Sequence, residues 1–265
     1  MSIMRHTVKL VRENDPGRGV SISTLARQYP RGSSVPPHAH GSDQLVYASH
    51  GVMQVSSGRS MWVIPPQFCI WVPARTLHRI RMPEPVSMRT LYLRRGIAPL
   101  PSVCRVLPVG HLLREIIFEI VRLGHLRIAD RSECALCQVL VRELEQASPL
   151  PTEIALPRDQ RALAVAHAVI DGLAVRKPLA SQCASAGLSV RTLERIFRRE
   201  VGTDFETWRR NVRLMRAVEL LVSGSSVKEA AFDVGYQQPN PLVALFRQTF
   251  GKTPKSWIST LNRRH

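Results

Sequence analysis

Residues 188–202 of this chain read LSVRTLERIFRREVG, and residues 246–251 read FRQTFG, which repeats the end of the first stretch. A glycine precedes each copy at a similar distance, Gly187 in the first and Gly235 in the second. A glycine at such a position accepts the left-handed conformation that ends one helix before a sharp turn into the next. The repeat therefore predicts two tandem units of helix, turn and helix.

Each unit has the residues needed to pack its second helix against its first. Small residues, Cys183 and Ala231, stand four positions before the glycines, where two helices would cross closely. Ser189 is predicted as the N-cap of one second helix, and Asn240, followed by Pro241, as the N-cap of the other. The apolar pairs at helical spacing are Leu193 with Phe197 and Leu242 with Phe246.

The opposite face of the first unit's second helix is rich in arginine. Arginine can fork onto guanine or hold a phosphate, so this helix suits the DNA major groove. A solvated helix face is the alternative for one unit, but two units in a chain of net charge +17 favour DNA. The predicted DNA-binding residues are Ser189, Val190, Arg191, Thr192, Glu194, Arg195, Arg198, Arg199, Gln238, Asn240 and Arg247.

These motifs resemble the AraC/XylS family of transcription regulators over about residues 158–260. The resemblance is carried by LSVRTLERIF and EVG in the first unit, and by VKEAAFDVGY, Pro239 and FRQTFGKTP in the second. It implies seven helices, with a spacer helix near 205–222 between units at about 178–200 and 226–250. It also implies double-stranded promoter DNA as the partner, and leaves RNA polymerase open as a second one.

The sequence departs from the family pattern in several places. Gln182 stands at a usually apolar position, and Leu242 replaces a usual phenylalanine. The second recognition helix has Pro241, Val243 and Ala244 where polar base-reading residues are frequent. We therefore predict unequal roles for the two units. Base readout is assigned to Arg191, Glu194 and Arg195, and positioning to Asn240 and Arg247.

The first hundred residues have a different pattern. Short apolar runs at 45–47, 53–55 and 61–64 are separated by glycine, serine and proline, which predicts the closely spaced strands of a barrel or sandwich. His38 and His40 in the sequence PHAH, followed by Gln44, Gly51 and His78, resemble the cupin pattern. The predicted fold class is multidomain α+β, with a cupin-like β-barrel followed by an all-α tandem helix-turn-helix domain.

Three interpretations of the histidines stay open. They bind a small-molecule effector inside the barrel, they hold a divalent metal, or they are remnants with structural hydrogen bonds only. Gln44 stands where the cupin resemblance implies a glutamate ligand, and a neutral amide is a poorer ligand than a carboxylate. The candidate metal ligands are His38, His40 and His78. The candidate effector residues are His38, His40, Gln44, Tyr47, Trp71 and His78.

The chain is predicted to have three parts. Residues 1–105 form the cupin-like sensor, 106–150 a helical linker, and 158–265 the AraC-type DNA-binding domain. Prolines between 148 and 157 are typical of an interdomain linker. An apolar stripe in the helical part either packs on the barrel or forms a homodimer face, and we favour the dimer. The stripe consists of Leu112, Ile116, Ile120 and Leu123.

Other classes of protein are disfavoured. No apolar run is long enough for a membrane span and the N-terminus lacks a signal peptide, so a cytoplasmic location is predicted. The pair Cys134 and Cys137 has no second pair nearby, which favours helix packing over zinc. No nucleophilic serine motif or phosphate loop is found, so no enzyme activity is predicted. The alternatives are a cupin metalloenzyme with a DNA-binding tail and a constitutive architectural DNA binder.

Overall fold

A computed structural model of the protein describes residues 13–149, 152–175 and 177–262. Within these residues the chain divides into two compact units. The barrel unit contains residues 13–58 and 64–149, and the helical unit contains residues 59–63 and 152–262. The predicted α+β fold, with a β-rich part first and a mainly helical part afterwards, is confirmed.

The strands are β1 (Ile22–Tyr29), β2 (Ser34–His38), β3 (Asp43–His50), β4 (Met53–Ser57), β5 (Ser60–Ile64), β6 (Phe68–Val72), β7 (His78–Arg81), β8 (Val86–Leu93), β9 (Arg105–Pro108), β10 (His125–Leu126) and β11 (Ile154–Ala155). The helices are α1 (His111–Leu123), α2 (Arg131–Gln146), α3 (Gln160–Asp171), α4 (Leu179–Ser185), α5 (Val190–Glu200), α6 (Phe205–Val222), α7 (Val227–Asp233), α8 (Asn240–Phe250) and α9 (Pro254–Asn262).

The barrel unit contains antiparallel sheets. One has the strand order β10-β1-β8-β3-β6-β9, and elsewhere in the unit β7 pairs with β4 and with β2. Successive residues of a strand face opposite sides of a sheet. On β3, Leu45 and Tyr47 therefore share the face covered by α1 and α2, and Gln44 lies on the other face.

The helix α1 packs on this sheet through part of the apolar stripe that is predicted to form a dimer face. Ile116 and Ile120 are 5% and 0% exposed because they belong to the apolar core that the sheet shares with α1 and α2. Leu112 and Leu123 are 53% and 38% exposed. The predicted stripe is thus split between the core and the surface, and the segment predicted as a linker contributes to the barrel unit's own core.

The helical unit contains seven helices within the described residues, α3 to α9, as the family resemblance implied. The predicted spacer helix is α6. The four apolar residues predicted to bury the second helices are all inaccessible to solvent, which confirms that prediction. They are Leu193, Phe197, Leu242 and Phe246.

The proline-rich segment before α3 is more ordered than a linker. Residues 150 and 151 lie outside the described residues, but β11 pairs with β5 through Ile154 and Met61. The indole N–H of Trp208 on α6 donates to the carbonyl of Ala155 at 2.8 Å. Buried apolar contact and this hydrogen bond fix β11 within the helical unit, which proline content alone does not reveal. None of the described helices is long and apolar enough to cross a membrane.

Candidate nucleic-acid interface and histidine site

The turns of the two helix-turn-helix units have the predicted glycine geometry. Gly187 and Gly235 have φ of 67° and 85°, in the left-handed region. Ser189 caps α5 as predicted, since its Oγ accepts the backbone N–H of Thr192 at 3.1 Å. The prediction of Asn240 as a cap is wrong. The helix α8 begins at Asn240 itself, because Pro239 already has helical backbone angles, with φ −67° and ψ −27°, and no side chain caps it.

The predicted DNA-binding side chains of α5 form one open surface. No carboxylate of the described residues lies within ion-pair distance of Arg191, Arg195 or Arg198. Arg199 differs from these three because it forms an ion pair with Glu200 at 2.7 Å. The surface is lined by Arg191, Thr192, Glu194, Arg195, Arg198 and Arg199.

Some residues of this surface also stabilise the domain. The carboxylate of Glu194 accepts the backbone N–H of Phe205, at the start of α6, at 3.2 Å. The hydroxyls of Ser189 and Thr192 are hydrogen-bonded to each other at 2.9 Å. The sequence pattern did not indicate the Glu194 contact, because it joins two helices across an intervening turn.

The exposed face of α8 is less basic. Gln238, Asn240 and Arg247 are exposed, as a DNA contact requires. Between them lie Pro241, which is exposed, and Val243, which is half-buried. α8 contains one arginine where α5 contains four.

The three predicted histidines converge inside the barrel unit. His38 and His78 are register partners on β2 and β7, and His40 follows β2. All three are buried, and one ring nitrogen from each lies within 4.8 Å of those of the other two. The Nδ1 atoms of His38 and His78 hydrogen-bond to the carbonyls of Pro36 and Thr76, at 2.8 and 2.9 Å.

The environment keeps His78 neutral. Burial lowers its pKa from 6.5 to about 4, against the hydrogen bond to Thr76, and the neighbouring His38 and His40 lower it further. Its Nε2 is buried without a hydrogen-bond partner among the described residues. Because Nδ1 is hydrogen-bonded to a carbonyl oxygen, Nε2 is the nitrogen that can accept a hydrogen bond or bind a cation.

Of the other predicted effector residues, only Gln44 lies on the histidine side of the sheet. It is the register partner of Tyr92, whose ring contacts that of His40 at a centroid distance of 4.8 Å. The structure does not bring Tyr47 and Trp71 to the histidines. Both occupy the opposite sheet face, packed toward α1 and α2, because odd and even positions of a strand alternate.

The cysteine pair of α2 is partly buried. Cys137 is buried, and burial raises the pKa of its thiol above the ordinary value. The group of metal-capable side chains found in the described part of the chain is the three-histidine cluster, which includes neither Cys134 nor Cys137. Cys137 belongs to the apolar core that α2 shares with the sheet and α1.

Comparison with known proteins matches both units. The AraC-like ligand binding domain matches residues 21–129, and a helix-turn-helix domain matches residues 182–260. The chain belongs to the AraC family of transcription regulators, with a ligand-binding domain followed by a helix-turn-helix DNA-binding domain.

Two relatives that are HTH-type transcriptional regulators agree with this assignment. The HTH-type transcriptional regulator NimR of Escherichia coli K12 is 25% identical over 226 residues, 85% of this chain and 83% of NimR. The HTH-type transcriptional regulator RipA of Corynebacterium glutamicum is 32% identical over 104 residues, 39% of this chain and 31% of RipA. The structure of fatty-acid-bound ToxT from Vibrio cholerae aligns over 93% of this chain and 96% of ToxT, with 12% identity and a TM-score of 0.39.

Proposed function

We propose that α5 reads base edges in the major groove, while α8 mainly positions the protein on the DNA backbone. The observation that carries this proposal is the contrast between the exposed faces of the two helices. Arg191, Arg195 and Arg198 stand on α5 without acidic partners in the described part of the chain. Each guanidinium can donate two parallel hydrogen bonds to guanine or to a phosphate.

The proposed role of α8 follows from its side chains. Asn240 and Arg247 can donate to phosphate oxygens, while Val243 and Ala244 can offer only apolar contact with a thymine methyl. Gln238, just before the helix, is placed to contact the backbone or a base edge. Unequal contributions from two similar units give one strongly and one weakly specified half-site.

Fluorescence anisotropy tests the regulator proposal. The full-length protein is titrated into duplexes enriched from a random pool, and into scrambled duplexes of equal composition, at two salt concentrations. We expect a preference of about 10³-fold or more and a steep fall in affinity with salt. Equal affinity for enriched and scrambled duplexes would contradict sequence-specific binding.

For the barrel unit we propose a small-molecule effector that binds at His38, His40 and His78, next to Gln44. The buried position of the cluster and the three ring nitrogens that converge in it suit a ligand with hydrogen-bond donors. Such a ligand controls DNA binding only if its affinity differs between two arrangements of the protein. A dependence of operator affinity on the effector is therefore the expected result.

A divalent metal is the second candidate, and the histidine geometry favours it. The three ring nitrogens are close enough to share one ion. In His38 and His78 a backbone carbonyl occupies Nδ1, which fixes the ring as in known metal sites. His38, His40 and His78 would hold the ion, and it would supply a Lewis acid for an oxygen atom of the effector.

The amount of bound metal and the response of operator affinity to a small molecule distinguish these two candidates. The full-length protein, its His78→Gln variant and a control variant of the exposed His111, His111→Gln, are analysed by mass spectrometry for bound metal. About one ion per chain that is lost only in His78→Gln supports the metal site. Metal-free protein whose operator affinity responds to a small molecule supports the organic effector. Metal-free protein without any such response would contradict both.

The remaining assignments concern partners and chemistry. We propose a cytoplasmic homodimer without catalytic activity, in which the exposed Leu112 and Leu123 of α1 contribute to the dimer contact. RNA polymerase stays a predicted partner. Light scattering of the wild-type protein and of Leu112→Ser tests the dimer, and a monomeric wild-type protein would contradict it. Oxygen consumption by metal-loaded protein would instead support the alternative of a cupin metalloenzyme with a DNA-binding tail.

A further inference from the structure

A cationic cleft in the helical unit is lined by residues of both helix-turn-helix units. Lys177, just before α4, and Gln182, on α4, come from the first unit, and Tyr236 comes from the turn of the second. Arg209 and Arg213 project from α6 into the same lining. No acidic side chain is among the described residues that line this cleft.

The charges of the cleft are incompletely balanced. Arg209 has an ion-pair partner in Glu206, whereas Arg213 and Lys177 have no carboxylate within 4 Å in the described part of the chain. The guanidinium of Arg213 lies 5.2 Å from the centre of the Tyr236 ring, and burial lowers its pKa from the ordinary value. Arginine nevertheless stays protonated at neutral pH. The carboxylate of Glu206 acts on Arg213 from beyond ion-pair distance and already pairs with Arg209. The cluster therefore keeps an excess of positive charge, which favours the binding of an anion.

Hydrogen-bond donors of the cleft are also unused. The Nε atoms of Arg209 and Arg213 are buried and have no acceptor among the described residues. Gln182, the polar residue at a usually apolar position, donates from its amide to the carbonyl of Lys177 at 3.0 Å. This bond fixes the segment that carries the Lys177 ammonium group, which gives the departure from the family pattern a structural role.

The cleft has a rigid wall where the second unit meets α3. A Cβ atom added to Gly235 would lie 2.3 Å from the carbonyl oxygen of Leu173, so the backbones of these residues are in close contact. This backbone contact fixes the turn of the second unit against the segment that follows α3.

The cleft lies where a DNA backbone is expected to pass. In a helix-turn-helix the first helix crosses the backbone, and the recognition helix enters the groove with its N-terminal residues. Lys177 directly precedes the first helix α4, and Tyr236 shortly precedes the recognition helix α8. We propose that this cleft binds one DNA backbone phosphate, between the grooves entered by α5 and α8. The proposal rests on the DNA-binding function of the helical unit.

Salt-dependent affinity of the full-length protein tests the phosphate site. The variants are Arg213→Gln and Lys177→Gln. The control is Arg216→Gln. This change removes an exposed charge from the same helix, where Arg216 forms an ion pair with Glu219. Affinity for enriched and for scrambled duplexes is measured across salt concentrations, and melting temperatures verify folding. Loss of one phosphate contact lowers the slope of log affinity against log salt by about 0.9.

We expect Arg213→Gln and Lys177→Gln each to bind both duplexes about 5- to 20-fold more weakly, with this lower slope, and Arg216→Gln to match the wild type. Unchanged slopes in both folded variants would overturn the proposal, while wild-type protein that binds no duplex would instead overturn the regulator function. Inorganic phosphate could instead raise the melting temperature of the wild type but not of Arg213→Gln, while the salt slope of DNA binding is the same for both proteins. That result would identify free phosphate as the ligand and would also overturn the proposal.

Discussion

The two helix-turn-helix units share a buried framework but present different surfaces. Each has a left-handed glycine in its turn and an inaccessible leucine–phenylalanine pair on its second helix. The exposed face of α5 has arginines and a side-chain cap, whereas α8 has one arginine and no side-chain cap. The comparison shows that packing residues define the motif, while its contacts with DNA can change without altering the fold.

The largest expected difference between the units is in their turns. Added Cβ atoms meet nothing within 4 Å at Gly187 but lie 2.3 Å from a carbonyl oxygen at Gly235. Gly187→Ala should therefore cost about 1 kcal/mol of stability, from the positive φ alone, and Gly235→Ala roughly 3 kcal/mol or more. Urea unfolding of the two variants measures this. Equal losses would indicate that the second turn can relax away from Leu173.

The next largest expected difference between the two units is in their contributions to the free energy of DNA binding. Arg195→Ala is expected to cost about 1–3 kcal/mol on an enriched duplex and to relax base preference at one position. Arg247→Ala should weaken binding to enriched and scrambled duplexes alike, because a phosphate contact carries no sequence information. Competition titrations with single-base variants of the duplex check both expectations. Selectivity lost only in Arg247→Ala would reverse the proposed roles.

The smallest expected difference concerns the helix caps. Ser189→Ala removes the bond to the Thr192 N–H and should lower stability by about 1 kcal/mol. Asn240→Ala removes no capping bond and should change stability by less than about 0.5 kcal/mol. Thermal unfolding of the two variants side by side provides the measurement. A larger loss for Asn240→Ala would restore the original prediction of that residue as a cap.

Sequence alone predicted the helical unit well because its determinants are local. Turn glycines and apolar residues at helical spacing indicate the motif directly, and the family resemblance added the number of helices. The contact of Glu194 with Phe205 and the cleft around Arg213 were not predictable, since each joins residues that are distant in sequence. The cap of α8 was misplaced by one residue because Pro239 already accepts helical geometry.

In the barrel unit, alternation along strands decides which predictions agree with the structure. The cupin resemblance correctly groups four residues on the histidine side of the sheet, namely His38, His40, Gln44 and His78. Tyr47 and Trp71 are predicted to join them, but both lie on the opposite sheet face, because side chains alternate along a strand. The apolar periodicity of α1 predicts that the helix has a buried face, but not whether the sheet or a second copy of the chain covers that face.

The most direct test of unequal readout is deep sequencing of duplexes that the full-length wild-type protein selects from a random pool. The account predicts that each bound copy specifies one information-rich half-site, with a weakly specified second half-site about one helical turn, or about 10 base pairs, away. Two half-sites of equal information content within each copy's footprint would contradict it.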